Sequence, residues 1–171
     1  VIDADAHARL RDHVGHMKRT AKMLAGSDLD AEAARGTFLA PHVFEIDGIG
    51  LLEREVFGPV LHVVRWRAGD LDRVVDAINA TGYGLTLGIH SRVEATVRRI
   101  AARVRVGNLY VNRNMIGAVV GVQPFGGEGL SGTGPKAGGP HYLPRFATER
   151  VVSVDTTAAG GNASLIGLSD V

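Results

Sequence analysis

Between residues 60 and 112 the sequence changes its hydrophobic period four times, and no other feature constrains the fold as tightly. A β-branched, apolar run at 60–66 gives way to Leu71, Val74, Val75 and Ile78, spaced three and four apart like one face of a helix. Thr81-Gly82-Tyr83-Gly84 turns the chain into a second apolar run at 85–90. Val93, Val97, Ile100, Ala101 and Val104 then repeat the helical spacing, Gly107 stops it, and 108–112 forms a third short run. Asp70 is placed to cap the first of these helices. Ser91 with Glu94 fits the capping box of the second. Strand, helix, strand, helix, strand within about fifty residues predicts an α/β fold with a mostly parallel sheet and flanking helices. Its crossovers should be right-handed.

The flanks are less regular. Asp3 or Asp5 can cap a helix predicted to reach residue 24, with Leu10, Val14, Met17, Ala21 and Leu24 on one face. Gly26-Ser27-Asp28 ends it. Residues 28–35 read as a loop or one short turn. Residues 37–46 read as a strand, where Pro41 indicates an edge position or a bulge. After Asn114 the pattern breaks down. Glycine is 23 of 171 residues, about twice the usual ~7%, and it concentrates at Gly126-Gly127, Gly129, Gly132, Gly134 and Gly138-Gly139. A loop this long is normally functional or disordered. Apolar anchors at Val119, Val120, Val122, Phe125, Leu130, Tyr142, Leu143 and Phe146 point to a pinned loop. Residues 149–155 resume as a strand, and the Ala-, Gly- and Ser-rich tail 156–171 is expected to be mobile or to dock elsewhere. The expected organisation is one α/β unit over 1–155, incomplete by itself, plus that tail. With Val1 at its start and weakly anchored ends, the chain reads as a piece of a larger protein.

Composition narrows the function classes. A formal charge of +1 lacks the basic excess that drives nucleic-acid binding. Arg98-Arg99, Arg103 and Arg105 read as a solvated helix face. With zero cysteines, this chain has no disulfide, no thiolate metal site and no thiol nucleophile. No apolar stretch approaches the ~18–20 residues of a membrane helix. Asp3, Asp5, His7 and Arg9 interrupt what would be a signal peptide. The expectation is a cytoplasmic protein.

Three groups of residues could carry chemistry. In Glu55-Val56-Phe57-Gly58-Pro59 the carboxylate could accept hydrogen bonds from vicinal ribose hydroxyls, and the ring could lie against a planar base. The same residues also suit a surface Glu and a core Phe beside a turn. The Gly-rich loop 124–140 could form an amide nest for a carboxylate, or a flexible surface loop. It matches neither helix-start phosphate motif. Of seven histidines, only His13 and His16 are close in sequence; they read as exposed side chains rather than metal ligands. Ser131 lacks the Gly-x-Ser-x-Gly elbow of a serine nucleophile. The residues alone therefore give no catalytic group and no metal site.

The same segments, in this order, resemble the C-terminal part of the aldehyde dehydrogenase catalytic domain. The resemblance rests on Gly36-Thr37-Phe38-Leu39-Ala40-Pro41, Glu55-Val56-Phe57-Gly58-Pro59-Val60, Thr81-Gly82-Tyr83-Gly84-Leu85-Thr86 and Gly107-Asn108-Leu109-Tyr110-Val111-Asn112. Pro124-Phe125-Gly126-Gly127 and Ser131-Gly132-Thr133-Gly134 complete it. The run 116–127 and Lys136-Ala137-Gly138-Gly139-Pro140-His141-Tyr142-Leu143 are most similar to the glutamate-semialdehyde (1-pyrroline-5-carboxylate) dehydrogenase branch, in the form fused to proline dehydrogenase in bifunctional proline utilization A proteins.

The resemblance implies oxidation of L-glutamate γ-semialdehyde to L-glutamate with NAD, through thiolate attack, hydride transfer and hydrolysis of a thioester. It implies that Glu55 binds the nicotinamide ribose and Phe57 packs near the nicotinamide. Gly138 and Gly139 would offer amides to the substrate carboxylate, and Phe146 would pack on its aliphatic part. The family's cysteine, general base, oxyanion Asn and Rossmann half lie upstream of the matched segment. The expected partners are therefore the N-terminal part of a parent enzyme and a small aldehyde, with no nucleic acid and no membrane-spanning segment, in a homo-oligomeric parent. FAD would belong only to a proline dehydrogenase domain of that parent. By itself the segment should not turn over. The alternative is a stand-alone, non-catalytic binding or assembly module.

Overall fold

The first helix, α1 (Ala4–Thr20), starts where Asp3 Oδ1 accepts the Ala6 amide at 2.7 Å. Leu10, Val14 and Met17 lie on its buried side. It ends four residues before the expected stop. Thr20 Oγ1 turns back onto His16 O, and residues 22–26 leave the helical path to pair as strand β1 (Lys22–Gly26). Strand pairing outweighs the helical period there, because β1 adds an antiparallel edge to β2 (His42–Glu45). The computed structural model describes residues 1–155, and the expected tail at 156–171 lies outside them.

β2 sits in the middle of the three-stranded sheet β1-β2-β3, parallel to β3 (Val60–Val63), with His42 opposite Val60. Pro41 precedes β2 and needs no ladder donor; its carbonyl accepts the Ser27 amide at 3.2 Å. Alternate residues of β2 point inward. Phe44 is fully buried and packs with Val14, Met17 and Ile46 in the core between α1 and the sheet.

The second half begins with α2 (Leu71–Ala80), preceded by a 3-10 turn that ends at Asp70. Asp70 occupies the cap position, but its side chain makes no capping hydrogen bond. Strand β5 (Thr86–Ile89), α3 (Glu94–Ala101) and β6 (Asn108–Val111) form a β-α-β unit with β5 and β6 parallel. The capping box does not form. Val93 is the cap residue, so Ser91 lies two positions too early, and its hydroxyl accepts the Val93 amide instead. Helices α2 and α3 are joined on their exposed sides by Arg99–Asp72 and Arg103–Asp76, each at 2.8 Å.

One mostly parallel sheet is not what the described residues build. They form three small sheets: β1-β2-β3, β4 (Tyr83–Gly84) with β7 (Glu128–Gly129), and β5-β6. Two of the strand pairs are parallel, and the pairs β1–β2 and β4–β7 are antiparallel. Each antiparallel pair arises because the chain folds back on itself, β1 directly after α1 and β7 when the Gly-rich loop returns to β4. The α/β class stands. Residues 149–155, expected as a strand, find no ladder among the described residues and are exposed; Val151 is 91% exposed.

Candidate functional site

Two clusters of the sequence-predicted residues occupy separate surfaces. Glu55 and Phe57 lie on the exposed loop between a 3-10 turn (Ile49–Leu51) and β3. Both line an open cavity of about 710 Å³, whose other wall is the first half of α1, with Arg9, Leu10 and His13. The loop lies tight against that helix. A Cβ on Gly58 would fall 2.6 Å from Leu10 Cδ1, so only glycine lets the backbone approach this closely. Phe57 is 84% exposed, so its aromatic face is open. The core-Phe reading of this motif therefore fails, and its carboxylate and ring share one concave surface.

His13, on the cavity wall, belongs to a pair that sequence spacing did not reveal. His13 on α1 and His62 on β3 approach Nε2 to Nε2 at 2.9 Å, with their rings edge to face. His13 thus pairs with a residue 49 positions away rather than with His16. Its place one turn after Leu10, on the flank of the buried stripe, was the available signal. Burial, followed by the charges of His62, His16 and Arg54, holds the His13 imidazole below its ordinary value of 6.5. Burial lowers His62 from the same value. No three His, Cys, Asp or Glu side chains converge on a metal-sized site among the described residues.

Gly138 and Gly139 form a turn after Phe125 and Ala137 pair as an isolated bridge. Gly138 adopts φ +71°, a conformation that favours glycine, and its carbonyl accepts the Gly121 amide at 2.8 Å. Its own N–H meets no acceptor among the described residues, whereas the Gly139 N–H is engaged by Lys136 O at 3.0 Å. The Gly139 carbonyl takes the Tyr142 amide at 3.1 Å and so ties this turn to the 3-10 turn Leu143–Phe146. The Phe146 ring is 74% exposed and stands edge to face with Tyr142. None of Gly138, Gly139 and Phe146 lines the cavity that holds Glu55 and Phe57.

The glycines explain how the loop is held. A Cβ on Gly107 would lie 1.7 Å from Gly126 O, so the start of β6 and the loop touch backbone to backbone. Around that contact Asn108 donates Nδ2 to Pro124 O at 3.0 Å and accepts the Gly126 amide at 3.3 Å. Lys136 Nζ donates to Gly107 O and Asn108 Oδ1. Ser131 Oγ accepts the Gly84 amide at 3.0 Å. Sequence reasoning passed over Asn108, Arg113, Gln123 and Lys136, since polar residues at strand ends and in loops carry no periodic signal.

The described residues form an α/β unit that carries a carboxylate-and-ring cavity and, on another surface, a Gly-rich turn whose Gly138 amide meets no acceptor among them. Comparison with known proteins gives the family: the aldehyde dehydrogenase family model matches residues 1–152, and the chain belongs to that family. It is similar to the bifunctional protein PutA of Rhizobium meliloti, 53% identical over 86% of this chain and 12% of the relative. It is also similar to the 1-pyrroline-5-carboxylate dehydrogenase of Geobacillus kaustophilus, 38% identical over 90% of this chain and 29% of the relative. Among solved structures, a proline utilization A mutant from Bradyrhizobium japonicum superposes with a TM-score of 0.86 at 59% identity, over 92% of this chain and 16% of that one. The chain therefore spans a small part of the relatives it matches. No helix among the described residues is long and apolar enough to cross a membrane.

Proposed function

We propose that this chain supplies the cofactor-ribose wall and the substrate-carboxylate turn of an NAD-dependent aldehyde dehydrogenase that oxidises L-glutamate γ-semialdehyde to L-glutamate in proline catabolism. The observation that carries this reading is the shared concave surface of Glu55 and the exposed Phe57 ring; on a separate surface, the Gly138 amide meets no acceptor among the described residues. Those residues fit a nicotinamide riboside, with a carboxylate acceptor for vicinal hydroxyls and an open aromatic plane for the base. NAD accepts the hydride when bound.

The chain's own residues bind and orient. Glu55 accepts the ribose hydroxyls and Phe57 limits where the nicotinamide can lie. Gly138 donates its amide to the substrate's far carboxylate, while Gly139, held by Lys136 O, fixes the turn. Phe146 covers the aliphatic stretch. A chain with zero cysteines has no thiolate to attack the aldehyde, so the nucleophile and general base come from the rest of a longer, cytoplasmic, homo-oligomeric parent, and this segment alone does not turn over. FAD chemistry falls to a proline dehydrogenase region of that parent.

The test is to replace Glu55 in the enzyme encoded by the whole reading frame that contains this segment. Glu55→Ala should raise KM for NAD at least ~10-fold, the scale of a lost charge-assisted hydrogen bond, and leave KM for the semialdehyde nearly unchanged. Equal changes in both constants remove the ribose role. Absence of semialdehyde-dependent NADH formation by the unmodified enzyme removes the function.

A further inference from the structure

Between β6 and the Gly-rich loop, residues 113–122 cross the surface and are all exposed, with Ile116, Val120 and Val122 open to solvent. Burial does not hold this strap, yet its shape is defined. Val119 and Gln123 exchange backbone hydrogen bonds, at 3.1 Å and 2.7 Å, closing a tight hairpin. The tip of that hairpin is the bed of the Gly138 turn. Gly121 N–H donates to Gly138 O at 2.8 Å, and a Cβ on Gly138 would lie 3.1 Å from Val120 Cα.

One side chain gathers the strap. The Arg113 guanidinium donates to Asn114 O at 3.2 Å, to Gln123 Oε1 at 3.1 Å and to Ile116 O at 3.4 Å. It lies 4.8 Å from the centroid of the Tyr110 ring, itself buried, whose hydroxyl donates to Gly117 O at 3.1 Å. The planar fork therefore joins both ends of an exposed strap to a buried residue of β6, a geometry that a lysine ammonium cannot reproduce.

We infer that Arg113 is a positioning residue that fixes the Gly138 turn, through Gln123 and the 119–123 hairpin, and so sets selectivity for aldehydes bearing a distal carboxylate. The inference rests on the reading of that turn as the carboxylate site. Arg113 does not touch the substrate. Its removal lets the hairpin and the Gly138 amide drift, and misplacement of a binding group by about 1 Å is enough to cost up to ~100-fold.

The experiment compares the unmodified full-length enzyme with Arg113→Ala, Arg113→Lys and Gln123→Ala on two substrates, glutamate γ-semialdehyde and butanal, which has no distal carboxylate. Arg113→Ala should lower kcat/KM for the semialdehyde ~10-fold or more, mostly through KM, and leave butanal and KM for NAD unchanged. Arg113→Lys should not rescue it, because the fork is lost, and Gln123→Ala should reproduce a smaller part of the same loss. Equal effects on both aldehydes, or none on either, overturn the positioning role. If Arg113→Ala does not fold, Gln123→Ala alone carries the comparison with the same criteria. An unmodified enzyme that takes both aldehydes with equal efficiency overturns the carboxylate site itself, and the role of Arg113 with it.

Discussion

The two halves of this molecule are held by different forces. Around α1 and β1–β3, side chains meet in an apolar core, with Phe44 fully buried among Val14, Met17 and Ile46. Around β6 and the Gly-rich loop, few side chains are buried and backbones touch directly. Gly107 lies against Gly126, Asn108 bridges to Pro124 and Gly126, and Lys136 reaches back to Gly107 O. Hydrophobic burial is non-directional and tolerates small shifts. A lattice of hydrogen bonds fixes positions to within tenths of an ångström. The half proposed to place substrate amides is the one built from directional contacts.

The sharpest break in this contrast should come from Phe44→Ala. Truncating a fully buried aromatic side chain costs ~3–5 kcal/mol, and urea melts of the chain should show loss of the whole cooperative transition, not of one half. Loss below ~1 kcal/mol would mean that the core around α1 is not the stabilising unit. Gly107→Ala probes the other half. Its methyl would occupy the place of Gly126 O, and overpacking against backbone costs ~1–3 kcal/mol or more. The expected outcome is local: hydrogen exchange should quicken at residues 124–139 while α1 and β2 keep their protection. Quickening that spreads evenly over both halves would erase the distinction between them.

Much of the first half was legible in sequence, and the reason is the same physics. The helical stripe of Leu10, Val14 and Met17 and the alternation around Phe44 are periodic because they face a core. Its misreading at residues 22–26 came from a strand that owes its existence to β2, a contact invisible to local period. In the second half the β-α-β alternation was readable, but the mostly parallel sheet was not, since β7 exists only where the loop folds back on β4. The Gly-rich loop announced itself by composition alone. Which amides stay free depends on turns such as the Gly139–Lys136 bond, and these have no periodic signature. The His13–His62 pair joins residues far apart in sequence and left only a weak trace, one His on the flank of an apolar stripe.

A smaller effect sharpens the picture within the polar half. Ser131→Ala leaves the part-buried Gly84 amide without the hydroxyl it donates to at 3.0 Å, a loss of ~1 kcal/mol. The same substitution should loosen the β4–β7 pair first, read as faster exchange at Gly84 and Leu130, whose amide bonds Gly82 O. Unchanged exchange at both amides would assign the loop's position to the Gly107–Gly126 contact alone.

The smallest effect, present at neutral pH and lost in acid, concerns the His13–His62 contact in the apolar half. With at least one ring neutral, one Nε2 donates and the other accepts; with both protonated, two cationic donors face each other and the bond is lost. Both imidazoles are held below their ordinary value of 6.5 by burial, so the unfolded chain takes up protons before the folded one does. The sign follows. The contribution is fully present above pH 6.5 and is lost as pH falls from there through the folded values. Carboxylates also titrate in acid, which is why the variant difference is the measurement. Melting temperatures of the unmodified chain and of His62→Gln should run parallel above pH 6.5 and converge below it, because the substitution removes one of the lowered imidazoles and relieves the other. Curves that stay parallel down to pH 5, about the lower edge of the range in which histidines change charge, would show that this contact contributes nothing dependent on protonation. Imidazole nitrogen shifts that put both rings at their ordinary value would lead to the same conclusion.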